Sequence, residues 1–286
     1  MFLTNLWRDY EVLDTGNGEK LERWGDFLLI RPDPQVIWPP SDPTLWDTAD
    51  ARYLRSTQGG GHWDYRKTLP ERWILKLDSL KFYVRPTGFK HTGLFPEQAL
   101  HWVWMAQRVR NAGRPLQVLN LFAYTGGATL ACAAAGAQVR HVDAAKSMVT
   151  WAQENYALSN LPKTSVSWIT DDVIKYVQRE IRRGRRYDGI VMDPPSYGRG
   201  PSGELWKLED ALYPLLQACT EILSADPVFF LISSYTTGLQ PAVLHNLILR
   251  TIGAHFSGTI DAAELTLPIR TGGILPCGAS ARWRHD

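Results

Sequence analysis

The amino-acid sequence predicts an α/β fold in which a small β-rich domain precedes a mostly parallel sheet with helices on both faces. Three observations support this fold. Turn residues and half-apolar runs fill the first 85 residues, short apolar runs alternate with helical spacing after that, and the last part predicts two strands joined by a Gly-Gly turn. Strands that alternate with helices indicate a mostly parallel sheet.

Residues 1–85 form the predicted β-rich domain. The segment VLDTGNGEKLERWGDFLLIRPDP has a Gly-Asn-Gly turn between half-apolar runs, and WILKLDSLKFYVRP alternates like two strands around a short bend. A long helix is disfavoured here because five prolines interrupt the chain, namely Pro32, Pro34, Pro39, Pro40 and Pro43. We expect this domain to help hold a substrate.

Residues 86–286 form the second predicted domain, which begins with the helix EQALHWVWMAQRVRNAG. Five predicted strands follow, each with a helix after it: LQVLNLFA, AQVRHVDA, SVSWITDD, YDGIVMDPP and PVFFLISSY. The segment HFSGTIDAAELTLPIRTGGILPCGASARW predicts two more, which gives seven strands. Ligands of such sheets bind beyond the carboxyl ends of the strands, so the residues at those ends are the candidate site.

Charge, composition and cysteine spacing argue against a membrane protein, a secreted protein, a disulfide framework and a metal site. The net charge is +2, and the basic run KYVQREIRRGRRY is interpreted as the end of a helix. No apolar run approaches the roughly 20 residues that span a bilayer, and the first residues lack a basic leader with an apolar core. A cytoplasmic protein is therefore expected. Three widely spaced cysteines and no HExxH or paired-cysteine pattern predict neither a disulfide framework nor a metal site.

A glycine turn follows the first predicted strand, in NLFAYTGGATL, and allows a ligand close to the backbone. It has neither the Lys-Ser/Thr of a phosphate-binding loop nor a full G-x-G-x-x-G. Asp143 ends the second strand and can accept both hydroxyls of a ribose, while Asp171 and Asp172 end the third and can accept an adenine amino group. A nucleoside without pyrophosphate fits this set, although Asp143 and Asp172 can alternatively cap helices.

Together, NLFAYTGG, HVDAA, TDDV and DPPSY resemble the motifs of class I S-adenosylmethionine-dependent methyltransferases, which have a Rossmann-like seven-stranded fold. TGLFPEQ makes the chain most similar to the subgroup with the large-subunit ribosomal RNA methyltransferases. The resemblance runs from about Gly88 to the end. It implies S-adenosylmethionine as cofactor and an RNA base, in ribosomal RNA, as target.

The resemblance also implies roles for individual residues. Phe95 and Gln98 would help close the cofactor pocket, Asp143 would hold the ribose hydroxyls, and Asp172 the adenine. The methionine and ribose end would be lined by Asn120, Phe122, Tyr124, Thr125, Gly126 and Gly127. Asp171 and Asp193 complete the predicted cofactor set.

The stretch DPPSY, after the fourth strand, supplies the predicted catalytic residues Asp193, Pro194 and Tyr197. The prolines fix their φ angles and remove two backbone donors, so the Pro194 carbonyl can act as an acceptor. The Asp193 carboxylate and this carbonyl would accept the hydrogens of an exocyclic amine. Tyr197 would stack on the flipped base, a contact worth about 1–3 kcal/mol. Alternatively, Asp193 is an ion pair or a cap and Tyr197 a packed aromatic residue.

Other interpretations stay open. Methylation of a pyrimidine carbon needs a thiolate, for which Cys277 is the candidate, while Cys132 and Cys219 are assigned to packing. The loops GRGPSGELWK, with Arg199 and Lys207, and GGGHWDYRK are candidate substrate contacts. Alternatively, Arg199 and Lys207 are solvated loop charges, and GGGHWDYRK is a turn with exposed aromatic residues. The substrate can also be a protein side chain or a small amine, and a non-catalytic protein that binds the cofactor or RNA is the third alternative.

Overall fold

The structure is a computed structural model that describes residues 1–56, 60–163, 165–200, 203–236 and 238–286. The chain divides into two compact units. The N-terminal unit comprises Leu3–Leu100 and Thr266–Cys277. The α/β unit comprises Met1–Phe2, His101–Leu265 and Gly278–Asp286.

Short strands dominate the first hundred residues. The elements are β1 (Phe2–Leu3), β2 (Tyr10–Gly16), β3 (Glu19–Trp24), β4 (Phe27–Pro32), α1 (Pro43–Trp46), β5 (Ala51–Arg55), β6 (Gly61–Tyr65), β7 (Trp73–Leu77), β8 (Leu80–Val84) and a 3₁₀ helix at Pro96–Gln98. Strands β2 to β6 form one five-stranded sheet in chain order, and β7 pairs with β8. The predicted β-rich N-terminal region is confirmed, including the turn at Asn17 and Gly18, which both have positive φ.

A buried ion pair lies inside the N-terminal unit. Arg31 on β4 donates to both carboxylate oxygens of Glu22 on β3, at 2.6 and 2.8 Å, and the Tyr10 hydroxyl donates to Glu22 at 2.7 Å. Glu22 is fully buried. Two hydrogen-bonded guanidinium contacts satisfy the charge that burial would otherwise make costly.

The N-terminal unit reaches past the predicted boundary at residue 85 and includes a later segment. Within it, the Thr4 hydroxyl donates to the Glu97 carbonyl at 2.5 Å, and the Thr4 N–H donates to the Thr266 carbonyl at 3.0 Å. The Arg270 N–H donates to the Val12 carbonyl at 2.9 Å. These long-range backbone bonds, which leave no local mark in the sequence, tie residues 266–277 to the first hundred.

Helices and strands alternate through most of the remaining chain. The elements are α2 (Ala99–Asn111), β9 (Gln117–Leu121), α3 (Gly127–Ala134), β10 (Gln138–Asp143), α4 (Lys146–Leu158), β11 (Val166–Thr170), α5 (Val173–Arg182), β12 (Gly189–Met192), β13 (Tyr197–Arg199), β14 (Leu205–Lys207), α6 (Leu208–Glu221), β15 (Phe229–Ser234), α7 (Pro241–Arg250), a 3₁₀ helix at Ile252–Ala254, β16 (Thr259–Pro268) and β17 (Ile274–Arg284).

The main sheet has eight strands in the order β1-β16-β17-β15-β12-β9-β10-β11. Strands β11, β10, β9, β12 and β15 are parallel, and β17 runs antiparallel to β15. The predicted α/β fold is confirmed. The eighth strand, Phe2–Leu3, was not predicted because a strand of two residues is too short to show a periodic pattern.

Strands β12 and β15 are buried along their whole length, since helices cover both faces of the sheet there. One face packs against α5, α6 and α7 in a single apolar cluster that contains Ile190, Leu216 and Trp283. No helix among the described residues is long and apolar enough to cross a membrane.

Candidate active site

Four parallel strands end at one edge of the sheet and place the predicted site residues there. Asp143 is the last residue of β10, and Phe122, Asp171 and Asp193 directly follow β9, β11 and β12. In the register of the sheet, Leu121 pairs with both Val142 and Met192, and Asp143 pairs with Thr170. Neighbouring strands lie about 4.8 Å apart, so these ends form one continuous edge.

The turn after β9 has an unusual backbone. Phe122 and Tyr124 have φ angles of 54° and 49°, and Gly126 has 90°. A non-glycine residue in the left-handed region costs roughly 1–2 kcal/mol, and such residues cluster at functional sites. The turn is held by the Ala123 N–H, which donates to the Val142 carbonyl at 3.1 Å. The sequence predicts this turn correctly, but not its strain.

The two glycines of the turn are required by close packing. A Cβ atom on Gly126 would lie 3.0 Å from the Ala152 Cβ, and one on Gly127 would lie 2.2 Å from the Trp102 ring. Trp102 and Ala152 belong to α2 and α4, which flank α3. The glycine pair therefore lets α3 pack against its neighbours, in addition to the predicted approach of a ligand to the backbone.

The Asp143 carboxylate joins two loops. Its Oδ2 accepts the Tyr124 N–H at 2.8 Å, and its Oδ1 accepts the Ala145 N–H at 2.8 Å. Burial raises the pKa of Asp143, and these two N–H groups only partly oppose that rise. A carboxylate has about four acceptor positions, so two remain for the hydroxyls of a ligand.

Asp171 and Asp172 both have protein partners. Asp171 forms an ion pair with Arg179, and its N–H donates to the Asp143 carbonyl at 3.1 Å. Asp172 caps α5 by accepting the Lys175 N–H at 2.9 Å through Oδ1. The second carboxylate oxygen of Asp172 lies 3.0 Å from the position of a Cβ on Gly200. Capping is therefore one role of Asp172, and its predicted contact with adenine stays a prediction.

The segment after β12 is a diproline followed by a β-hairpin, where the sequence predicted a loop. Strand β13 begins at Tyr197, which is 54% exposed, and pairs antiparallel with β14. The Trp206 indole N–H donates to the Pro195 carbonyl at 2.5 Å. Pro194 is buried, and among the described residues no group donates to its carbonyl.

This hairpin also contacts the turn after β9 and the start of α5. The Phe122 and Trp206 ring centroids lie 4.9 Å apart, and Glu204 forms an ion pair with Lys175. Pro201 and Ser202, part of the predicted substrate loop GRGPSGELWK, lie outside the described residues. The second half of that segment, from Glu204 to Lys207, is thus held against the site.

Buried polar side chains form hydrogen bonds around the turn after β9. Asn120 donates to the Thr129 hydroxyl at 2.9 Å, and that hydroxyl lies 3.0 Å from His141 Nδ1. Asn155 on α4 donates to the Thr125 carbonyl at 3.0 Å and is fully buried. Asn155 was not predicted as a site residue, although its place among apolar residues at helical spacing could have identified it.

Three further predicted residues belong to the N-terminal unit. Phe95 and Gln98 lie at the 3₁₀ turn, where the Gln98 N–H donates to the Phe95 carbonyl at 3.1 Å, and their role at the cofactor stays a prediction. Burial raises the pKa of the Cys277 thiol well above its usual value, which disfavours the thiolate that carbon methylation would need. Cys132 and Cys219 are buried, in accord with packing.

The predicted substrate loop GGGHWDYRK lies mainly in a strand. His62, Trp63 and Tyr65 belong to β6, which pairs with β5, and the Trp63 indole N–H donates to the Thr87 carbonyl at 2.8 Å. Gly59 lies outside the described residues. The prediction of a loop is therefore wrong for this segment, because residues 61–65 pair with β5 as a strand.

Known proteins are similar to this chain in sequence and in fold. A family model of S-adenosylmethionine-dependent methyltransferases matches residues 51–228. The solved structure of a SAM-dependent methyltransferase from Agrobacterium tumefaciens is 40% identical, covers all of this chain and 93% of its own, and superposes with a TM-score of 0.95.

Two curated relatives are more distant. Ribosomal RNA large subunit methyltransferase K of Neisseria meningitidis is 26% identical over 82% of this chain, and methyltransferase K/L of Pseudoalteromonas atlantica is 28% identical over 68%. The chain spans 66% of the length of the first relative and 29% of the second.

Proposed function

Since the chain belongs to the S-adenosylmethionine-dependent methyltransferase family, we propose that it methylates a base in RNA, and ribosomal RNA is the favoured substrate. The observation that carries this proposal is the position of Asp193 and the diproline. They follow β12 directly beside the turn after β9, because Met192 pairs with Leu121. An amine-binding motif and a nucleoside-binding turn are thus neighbours on adjacent strands.

The hydrogen-bond acceptors at the strand ends fit S-adenosylmethionine. The Asp143 carboxylate retains acceptor positions for two hydroxyls after it binds two backbone N–H groups. Asp171 and Asp172 lie at the end of the next strand, where an adenine amino group would find an acceptor. When bound, the cofactor would supply a methyl group on a sulfonium sulfur. The amine nitrogen would bond to the methyl carbon as the carbon–sulfur bond breaks, the sulfur would leave as a neutral thioether, and the nitrogen would lose one proton to solvent.

The residues of DPPSY would position and activate the nucleophile. The Asp193 carboxylate and the Pro194 carbonyl would accept the two hydrogens of an exocyclic amine, which directs the nitrogen lone pair at the methyl donor. Trp206 fixes the neighbouring Pro195 carbonyl, so the Pro194 carbonyl has a defined direction. Alignment of this kind supplies much of the rate in a displacement reaction.

Tyr197 would provide a surface for the base. It is 54% exposed at the first position of β13, four residues after Asp193. Stacking on an aromatic ring is worth about 1–3 kcal/mol per base, and an enzyme that acts on a base must extrude it from its stack. An exposed aromatic ring four residues after Asp193 can stack on an extruded base. An aliphatic side chain at this position would bind the base less well.

The proposal that the substrate is RNA rests on the names of the relatives. Both relatives described above are ribosomal RNA large subunit methyltransferases, and the site offers acceptors for a planar amine. We also infer that the N-terminal unit contributes to substrate binding, in keeping with the predicted role of residues 1–85. A protein side chain or a small amine is the alternative substrate.

The substrate class is tested by transfer of labelled methyl groups. The protein would be incubated with radiolabelled S-adenosylmethionine and separate fractions of ribosomal RNA, transfer RNA, protein and small metabolites. We expect label in the ribosomal RNA fraction, on an exocyclic amine after nucleoside analysis. Label confined to the protein or metabolite fraction would overturn the proposal for RNA.

The role of Asp193 is tested in the same assay. Asp193→Asn and Asp193→Ala should abolish transfer, whereas the affinity for S-adenosylmethionine, measured by calorimetry, should fall much less than it does in Asp143→Ala. Asp210→Asn, an exposed acid in the first turn of α6, is the matched control and should leave both quantities unchanged. Turnover by Asp193→Ala at the wild-type rate would refute the assigned role.

A further inference from the structure

The turn after α5 concentrates positive charge at one point of the surface. Residues 182–186, here called the arginine turn, read Arg-Arg-Gly-Arg-Arg, and all four arginines are exposed. Residues 179–186 contain five arginines and one glutamate, whereas the whole chain has a net charge of +2. The rest of the chain is therefore net negative, and the positive charge is local.

The backbone of the arginine turn is fixed by the way in which α5 ends. The Arg183 N–H donates to the Arg179 carbonyl, the Gly184 N–H to the Ile181 carbonyl and the Arg185 N–H to the Glu180 carbonyl, each at 3.0 Å. Gly184 has a φ of 64°, the left-handed conformation that closes a helix in this way. The four side chains thus project from one rigid turn.

Most of these guanidinium groups lack an anionic partner. Arg183 donates to Glu180 at 3.1 Å, and Arg186 donates to the Arg185 carbonyl at 2.9 Å. Within the described ranges, no carboxylate lies within 4.0 Å of Arg182, Arg185 or Arg186. Their donors remain available to a ligand.

Helix capping does not account for so many cations. A positive side chain near the C-terminus of a helix contributes about 0.3–1 kcal/mol when it is exposed. Arg179 and Arg182 lie in the last turn of α5 and Arg183 is its C-cap residue, so Arg185 and Arg186 lie beyond the helix end. Additional like charges nearby repel one another. Four arginines in five residues are better explained by a polyanionic partner.

The arginine turn lies at the edge of the sheet opposite the candidate active site. Helix α5 connects two parallel strands, β11 and β12, and so runs antiparallel to them. Its C-terminus is therefore at the amino edge, whereas Asp143, Asp171 and Asp193 lie at the carboxyl edge. Strands of four to six residues separate the edges by about 13–20 Å at about 3.3 Å per residue.

We propose that the arginine turn binds backbone phosphates of the RNA substrate at a distance from the methylated base. This inference rests on the proposed function and adds a second contact to it. Arginine forms bidentate hydrogen bonds with phosphate, and a separation of about 13–20 Å suits a folded RNA that extends beyond its target base. A small amine could not span both places.

The test compares two variants that each remove two positive charges from helix ends of the α/β unit. Arg185→Gln with Arg186→Gln changes the arginine turn, and Arg110→Gln with Arg250→Gln changes exposed arginines at the ends of α2 and α7. The probe is a fluorescently labelled RNA hairpin, and its affinity is measured between about 50 and 200 mM salt. Methyl transfer to ribosomal RNA and affinity for S-adenosylmethionine are measured in parallel.

We expect the slope of log affinity against log salt to fall by about 2 in the R185Q/R186Q variant, with unchanged cofactor affinity and unchanged thermal unfolding. The R110Q/R250Q variant should keep the wild-type slope. Methylation of ribosomal RNA with equal slopes in all three proteins would overturn this inference alone, and so would an arginine turn that binds an acidic protein instead. A wild-type protein that neither binds nor methylates RNA would overturn both proposals.

Discussion

The carboxylate of Asp143 accepts the backbone N–H of Tyr124 at 2.8 Å. The acid that ends β10 thereby holds the strained turn that follows β9, in which Tyr124 itself has a φ of 49°. One side chain both shapes the turn and offers acceptors to a ligand. Changes at Asp143 are therefore expected to affect the cofactor in two ways.

Replacing Asp143 with Ala should weaken binding of S-adenosylmethionine by about tenfold or more, because hydrogen bonds to a charged group are worth about 1.5–3 kcal/mol each. Asp143→Asn keeps one acceptor oxygen and should lie between Asp143→Ala and wild type. Calorimetry measures both, with Asp210→Ala as the surface control. Equal affinities for all four proteins would contradict the assignment of Asp143.

The affinity for S-adenosylmethionine should also depend on pH through Asp143. Burial raises the pKa of Asp143 above its usual 3.8, and protonation removes the negative charge that accepts the hydroxyls. Affinity should therefore fall as the pH falls, and the fall should begin at a higher pH than for an ordinary aspartate. Titration calorimetry at several pH values checks this, and Asp143→Asn should lose this component of the dependence.

Replacing Gly127 with Ala should destabilise the α/β unit. The new methyl group would lie 2.2 Å from the Trp102 ring, and overpacking of this kind costs about 1–3 kcal/mol. Gly88→Ala is the matched control, since nothing lies within 4 Å of its Cβ position. Chemical denaturation should separate the two variants, and equal stabilities would show that Trp102 moves aside without cost.

Replacing Glu22 with Gln should destabilise the N-terminal unit by about 3–5 kcal/mol, because Arg31 would keep a buried charge without its partner. The control is Glu71→Gln, whose carboxylate is 89% exposed and lies 4.0 Å from Arg85. It should change the free energy of unfolding little. The difference is measured by urea denaturation, and a small effect of Glu22→Gln would mean that water reaches the pair.

Acid should remove the contribution of Glu22 in a defined range. Burial alone would raise the pKa of Glu22, but Arg31, Lys20 and the hydrogen bonds from Arg31 and Tyr10 lower it from 4.5 to about 2. Such a group stabilises the folded state above its unfolded pKa, and that stability is lost as the pH falls towards the folded value. Unfolding free energies measured between about pH 5 and 2 should decline more in wild type than in Glu22→Gln.

The sequence predicts most of the sheet and the line of acids at its edge. Both depend on local patterns, since an apolar strand such as 189–192 and the acid after it are adjacent in the chain. Seven strands and the positions of Asp143, Asp171 and Asp193 at strand ends follow from periodicity and turn residues. These features require no knowledge of distant contacts.

The supporting contacts could not be predicted in the same way. Trp102 against Gly127, Asn155 on the Thr125 carbonyl and Trp206 on the Pro195 carbonyl each join residues from different elements. Their partners are set by how helices pack on the sheet, which a single sequence does not record. The hairpin of β13 and β14 was missed because three-residue strands carry too little pattern.

Strand β17 is the last of the main sheet along the chain, yet it lies between β15 and β16. During synthesis the parallel strands emerge first, and the free edge of β15 stays unpaired until residues 274–284 have been made. Ser280 then bonds Ser233 at 2.9 Å, and Trp283 enters the core. A nascent chain therefore exposes the unpaired edge of β15 until β17 is made, and an edge of this kind can pair with another chain.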